Sequence, residues 1–346
     1  MDTAPVPPTF VPPPPCRRGG CLSGFLGGCL TAVVLVFALF VALPVWLLSS
    51  GAEQVSFLVG PAQPYAVEAG DPAAKDTRGV LRLALNGVIT GAAPRWGGED
   101  CDAAVLDAIE RAIDDDTIDA ILLAIDSPGG GVGASDALYH ALERFKAADP
   151  GRKVVVQAGD LLASGAYYVA MQADWIAVRP TTVVGSIGVI MPGFNASALA
   201  QRLGVADASI ASGPSKDLGN PLKPVNAAHV SILQTVVDDL YDRFVGIVAD
   251  GRGLPESDVR ALADGRILSA EDALAHRLVD AIGYEDGLDA KLAELLGCPE
   301  DRLVRYVPPR RPALGGLLDG FGASLGRGAA EALLTQPVAT PQYLLR

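Results

Sequence analysis

Histidine is nearly missing from this chain of 346 residues: only His140, His229 and His276 occur, far apart. A histidine-built metal cage or a Ser-His-Asp relay has almost nothing to draw on, so acid–base chemistry must use other groups. Basic charge is also short. Lys and Arg number 27 against 40 Asp and Glu, a net charge of -13. No surface that tracks phosphates is implied, and nucleic acid is not an expected partner. Lysine itself occurs six times, as Lys75, Lys146, Lys153, Lys216, Lys223 and Lys291. Of five cysteines, Cys16, Cys21 and Cys29 crowd the first thirty residues, which leaves Cys101 and Cys298. A separation that long gives no ground for pairing them, and two free thiols are expected. Neither a Gly-Lys-Ser/Thr phosphate loop nor a GxGxxG fingerprint is present, and no cofactor is expected.

What is abundant is apolar: hydrophobic residues make up 50% of the chain and charged ones 19%. Residues 1–18 form a proline-rich tail with seven prolines by residue 15, a composition that stays solvated and builds no core. From Gly19 to Ala52 no charge occurs. A bilayer core of ~30 Å needs about 20 helical residues, so residues 21–48 are long enough to span it. Arg17 and Arg18 lie before the apolar run and no charge follows until Glu53, which places the N-terminus in the cytoplasm and the rest outside. The rival reading is a cleaved signal peptide, with Ser49 to Ala52 small enough to suit a peptidase. An apolar stretch longer than the usual ~7–15 residues favours a retained anchor. Residues 53–78 read as a linker carrying Pro61, Pro64 and Pro72.

The globular part is expected over 79–305. Val80 to Thr90 alternates as a strand, Ala103 to Ile113 has helical spacing, and IDAILLAI at Ile118 to Ile125 reads as a strand buried on both faces. Helix over Ala134 to Ala147, strand over Lys153 to Ala158, helix over Ser164 to Met171 and strand over Trp175 to Val178 continue the series. Such alternation predicts an α/β fold with a mostly parallel sheet. Residues Asn226 to Asp250 predict a long helix with Ile232, Val236, Leu240, Phe244 and Ile247 on one face, packed on the sheet or on a neighbour. Shorter helices follow at Glu256 to Ala263, Ala270 to His276 and Leu288 to Leu296. Residues 306–346 are glycine-rich and only weakly amphipathic.

Three places carry candidate chemistry. Asp126-Ser127-Pro128-Gly129-Gly130-Gly131-Val132 links a strand to a helix, either as an amide-lined anion site or as a plain turn. Ser164, in Leu161-Leu162-Ala163-Ser164-Gly165-Ala166, is a helix N-cap or an attacked serine with small neighbours and a free Gly165 amide. Lys216, in SGPSKD, is an exposed loop lysine or a base. A lysine works as a base only when neutral, which apolar burial favours and the adjacent Asp217 opposes.

Taken in order, AIDSPGGGV, GDLLASGAYYVAMQAD, VVGSIGVI and SGPSKD resemble the signal peptide peptidase A family over roughly Val80 to Leu296. These are membrane-anchored Ser-Lys peptidases of the Clp-protease and crotonase type of fold, built from repeated β-β-α units. The resemblance, to the short single-repeat form, implies Ser164 as nucleophile, Lys216 as general base, Ser186 of GSIG orienting the lysine, and Gly131 and Gly165 as oxyanion-hole amides. It further implies peptide substrates such as remnant signal peptides, a bilayer beside the site, and a homo-oligomeric ring in which Ser and Lys come from neighbouring subunits. Two rivals keep the fold: a crotonase-like thioester enzyme using the glycine amides, and a catalytically inactive membrane scaffold.

Overall fold

The computed structural model describes residues 65–91 and 102–308, and the backbone of 342–344. The proline-rich tail, the expected anchor at 21–48, the linker up to residue 64 and Cys101 lie outside the described residues. Among the described residues, no helix is long and apolar enough to cross a membrane.

Among the described residues, eleven strands and eight α-helices follow the expected alternation. In chain order they are β1 (Ala66–Ala69), β2 (Arg78–Asn86), α1 (Asp102–Ile113), β3 (Ala120–Ser127), β4 (Gly129–Gly131), α2 (Val132–Ala148) and β5 (Lys153–Ala163). Next come α3 (Gly165–Ala170), β6 (Trp175–Val178), β7 (Val183–Gly185), α4 (Ser197–Arg202) and α5 (Ala227–Arg252). The series ends with α6 (Glu256–Leu262), β8 (Ile267–Leu268), α7 (Ala270–Ala275), β9 (Ala281–Ile282), α8 (Leu288–Leu296), β10 (Leu303–Val307) and β11 (Gln342–Leu344). The main sheet runs β1-β10-β2-β3-β5-β6-β9, with β7 beside β5 and β8 beside β7. All its pairings are parallel except β1 with β10 and β7 with β8. β1 falls inside the stretch read as linker. Its side chains are exposed as an edge strand permits, while Tyr65 just before it is buried, so the folded part starts earlier than the proline spacing suggests.

Period-two alternation sorts the central strands between two faces. Leu81, Leu83 and Leu85, Ile121, Leu123 and Ile125, and Val154, Val156 and Ala158 point to the larger core, beneath Val105 and Ile109 of α1 and Leu138, Leu142 and Phe145 of α2. Val80, Ala120, Leu122 and Val155 point the other way, against Leu288 and Leu292 of α8. Burial on both faces explains why IDAILLAI shows no polar alternation. Each large side chain so buried contributes about 1.5–3 kcal/mol.

After β7 the chain departs from this core. α5 begins at Asn226, whose side chain accepts the Ala228 amide, and stops at Gly253 in the left-handed conformation. Only its C-terminal half is buried, through Phe244, Val245, Ile247, Val248 and Ala249. Ile232 and Val236, expected to pack with them, stand exposed. Phe194 (87% exposed), Leu203, Ile210 and Val225 on the preceding segment are exposed too. Residues 190–236 thus form an arm most of whose large apolar side chains find little cover among the described residues.

Candidate active site

β5 is bent on purpose. Its first half pairs with β6 through Gln157, its second with β7 from Leu161, and the β3–β5 register slips between Ile125 and Ser127. Asp126 sits in that slip, and its carboxylate accepts the Leu161 amide at 3.1 Å. Thr182 Oγ1 donates to the Gly159 carbonyl at 2.6 Å. A Cβ at residue 159 would press on the Asp126 side chain at 3.0 Å, a tighter approach than side chains ordinarily make, so glycine eases this fit.

The bend carries β5 to its end at Ala163, and Ser164 follows with φ 53° and ψ −121°. A positive φ at a non-glycine residue costs about 1–3 kcal/mol and persists only where the surroundings impose it. Here the imposition is visible: the Ser164 amide donates to the Gly185 carbonyl at 2.8 Å, and its own carbonyl accepts the Tyr168 amide at 2.9 Å. Ser164 is 1% exposed and its Oγ has no hydrogen-bond partner among the described residues. It occupies the N-cap position of α3 but accepts no capping bond. The N-cap reading of this serine therefore fails, and a strained, buried, unpaired hydroxyl remains.

Ser186 lies one residue beyond Gly185, so the hydrogen bond from Ser164 brings the two serine-bearing turns together. It too has positive φ, at 51°, and its amide donates to the Arg266 carbonyl at 2.7 Å. It lines a cleft of about 710 Å³ with Val189 and Ile190, Tyr241 of α5, and Asp264 to Ile267.

Lys216 stands apart. It is exposed on the arm, in a turn closed by its own amide donating to Gly213, and within one chain it makes no hydrogen bond to Ser164 Oγ. Asp217 does not hold it. That carboxylate accepts from Lys223 Nζ at 2.5 Å, and Lys223 also bonds Asp207 at 3.0 Å. The lysine bond holds Asp217 below the usual carboxylate range, and bonds from Asp217 and Asp207 push Lys223 up. A lysine clamped in its charged form is a poor base, which leaves Lys216 as the arm's candidate.

The glycine loop differs from its expected use. The Ile89 amide donates to the Gly129 carbonyl at 3.0 Å, and the Gly131 amide donates to the Ile89 carbonyl at 2.7 Å. A Cβ on Gly130 would lie 1.9 Å from that carbonyl oxygen, so residue 130 must be glycine. The Gly131 amide, expected as a free oxyanion donor, is spent on Ile89. Gly165, the first residue of α3, has no acceptor for its amide inside the helix.

A bracing group not singled out in the sequence surrounds α3. The buried Tyr168 hydroxyl donates to Asp136 of α2 at 2.6 Å, and Arg243 of α5 reaches the same carboxylate at 2.6 Å and the tyrosine oxygen at 3.0 Å. Partial burial would raise the Asp136 pKa, but the bonds from Tyr168 and Arg243 win and hold it low. A depressed pKa means the contribution is complete above the ordinary carboxylate value of about 4 and fades as pH falls through the folded value. Tyr168→Phe is expected to cost about 1–2 kcal/mol at pH 7. The loss should shrink below pH ~4, read from urea midpoints at both pH values.

Residues 146–298, which include Ser164, Ser186 and Lys216, match peptidase family S49. The chain is 36% identical over 229 residues to a proposed protease of Methanocaldococcus jannaschii, covering 66% of this chain and 72% of that one. A proposed signal peptide peptidase SppA of Enterococcus faecium is 36% identical over 215 residues, 61% of this chain and 62% of the relative. Protease 4 of Salmonella typhi is 32% identical over 192 residues, 56% of this chain but only 31% of the larger relative. Among solved structures, a ClpP1 variant of Listeria monocytogenes aligns with a TM-score of 0.39 and 16% identity, over 60% of this chain and 94% of that one. With the length covered and the identity reached, the chain belongs to peptidase family S49, a serine-protease family.

Proposed function

We propose that the chain is a membrane-anchored serine endopeptidase that cleaves remnant signal peptides and other small peptides left at the bilayer. The observation that carries this reading is Ser164: buried, forced to positive φ between β5 and α3, and holding a hydroxyl with no partner among the described residues. In the proposed reaction, neutral Lys216 takes the hydroxyl proton as Ser164 Oγ bonds to the peptide carbonyl carbon. The Gly165 amide faces the developing oxyanion. Collapse of the tetrahedral intermediate breaks the C–N bond, Lys216 returns the proton to the leaving amine, and water releases the acyl group by the same route. Ser186 aims the lysine amine. Gly131 joins the oxyanion hole only by letting go of Ile89.

Within one chain Lys216 sits on an exposed arm, and that arm carries uncovered apolar residues. Both facts support a homo-oligomeric ring in which one subunit's arm delivers Lys216 to its neighbour's Ser164. The anchor at 21–48, with the catalytic part extracytoplasmic, keeps the cleft beside peptides confined to the membrane and raises their effective concentration. The test is incubation of the full chain in mild detergent, as a verified oligomer, with a synthetic signal peptide. Mass spectrometry is expected to show internal cuts in the apolar stretch. An intact peptide would sink the peptidase reading and favour the inactive scaffold.

A further inference from the structure

The face of the sheet away from α1, α2 and α3 holds a second cleft, of about 480 Å³, lined by residues of β6, β9 and α8. The strands make room for it. Gln157 of β5 is in register with Ala177 of β6, and Ala177 with Ala281 of β9. Alternation along β5 turns Gln157 to the same side as Val155, toward α8. Two alanines beside a glutamine leave space that larger side chains would fill, and Gly283 and Gly287 extend the wall without a Cβ. Gln157 is 3% exposed, yet only half satisfied. Its Nε2 donates to the Ala158 carbonyl at 3.2 Å and to the carbonyl of Gly283, on the cleft wall, at 3.5 Å. Those two acceptors fix which end of the carboxamide is nitrogen. Oε1 has no partner among the described residues. Buried acceptors without a donor are rare in native proteins, and this one ends at a cleft.

The rest of the lining selects the donor. Asp286 and Glu294 set two carboxylates against the single cation Lys291, whose Nζ already bonds Glu294 at 2.9 Å. Trp175 presents a ring to that same ammonium, 5.9 Å from its centroid, and Tyr284 adds a second ring, 60% exposed. An acceptor, a surplus of negative charge and aromatic faces suit a cation that carries N–H groups and disfavour a carboxylate or phosphate. We infer that this cleft binds an organic cation, the ammonium of a lysine side chain or the guanidinium of an arginine. One N–H reaches Gln157 Oε1 past Gly283, which has no side chain to bar the way, and the charge lies among Trp175, Tyr284 and Glu294. Gln157 and Ser164 belong to opposite layers around β5, so the site stands apart from the reaction proposed at Ser164.

The test uses the full chain in mild detergent with fluorotryptophan in place of tryptophan, followed by fluorine NMR. The Trp175 line is assigned by its loss in Trp175→Phe. Butylammonium and propylguanidinium are the probes, with butyrate and butanol as anionic and neutral controls at constant ionic strength. Both cations are expected to move the Trp175 line saturably, butanol to bind about tenfold more weakly or worse, and butyrate to leave it unmoved. Gln157→Met keeps the bulk and removes the acceptor, and should weaken cation binding about tenfold or more. Gly283→Val should abolish it. A Cβ at 283 meets nothing within 4 Å, so this variant keeps the fold and decides the matter even if Gln157→Met does not fold. A Trp175 line that neither cation moves overturns the inference, as does one that butyrate or butanol moves equally well. Unchanged cation affinity in Gly283→Val, or in a folded Gln157→Met, overturns the site. None of these readouts needs cleavage, so a chain that cuts no peptide but binds the cations refutes the peptidase reading and leaves this cleft standing.

Discussion

Ser164→Ala is expected to abolish peptide cleavage, lowering kcat by ~10³-fold or more, while the protein stays at least as stable as wild type. The second half of that expectation is the more telling one. An ordinary buried serine is hydrogen-bonded, and its removal leaves a partner unsatisfied. Ser164 Oγ has none among the described residues, so alanine removes a buried polar group that no bond there ties to the fold. The backbone gives a further handle. Alanine is no more at ease at φ 53° than serine, but glycine is. Ser164→Gly should therefore be equally inactive and about 1 kcal/mol more stable than Ser164→Ala, the relieved strain exceeding glycine's cost in chain entropy. Denaturant midpoints of the three proteins, beside cleavage rates on one synthetic signal peptide, decide this. A serine variant that loses stability and keeps cleavage would make Ser164 structural. The expected pattern, activity lost and stability kept or gained, marks a residue whose environment is maintained for chemistry at the expense of folding.

The position of that serine at a strand-to-helix junction was legible because the signals there are local. A buried strand reads from its apolar run, the helix from GAYYVA, and the small residues around Ser164 from the sequence itself. The continuation of β5 past Ala158 was not. Gly159 and Asp160 look like the end of a strand, and what keeps the strand going is the Asp126 carboxylate on the Leu161 amide and the Thr182 hydroxyl on Gly159. Those partners are far away along the chain, and no local pattern announces them. The same reason hid the fate of the Gly131 amide. Three glycines in a row suggest free donors, and only the return of Ile89 to the same strand shows that one is taken.

The long helix shows a different limit. Its apolar face from Ile232 to Ile247 is a sound reading of period, yet period says that a face wants cover and not what provides it. The chain covers Phe244 and Ile247 and leaves Ile232 and Val236 exposed. A sequence pattern made for a partner looks identical to one made for a core. The Tyr168, Asp136 and Arg243 group was hidden for a related reason. Each residue belongs to a different helix, and each alone is an unremarkable surface or core residue. Their one sequence trace is the second tyrosine of GAYYVA, placed one turn after the serine whose carbonyl its amide binds.

Lys216→Ala and Lys216→Arg should each lower cleavage by ~10³-fold or more, since arginine stays protonated and supplies the charge without the base. Lys223→Ala should be much milder, because Lys223 only clips Asp207 to Asp217 and shapes the arm. The decisive form of the experiment uses two inactive chains. Ser164→Ala keeps its lysine and Lys216→Ala keeps its serine, and neither cuts peptide alone. If the arm reaches into the next subunit, a contact of this head-to-tail kind repeats around a closed ring. Chains unfolded, mixed in equal amounts and reassembled then contain neighbours in which an intact serine meets an intact lysine. Random assembly makes about one site in four whole, and close to a quarter of wild-type activity should return. A dyad built within one chain predicts no recovery at any mixing ratio, because every chain carries one broken partner. Recovery would account for two features at once: a buried serine hydroxyl with no partner among the described residues, and an arm whose lysine and apolar side chains both face outward.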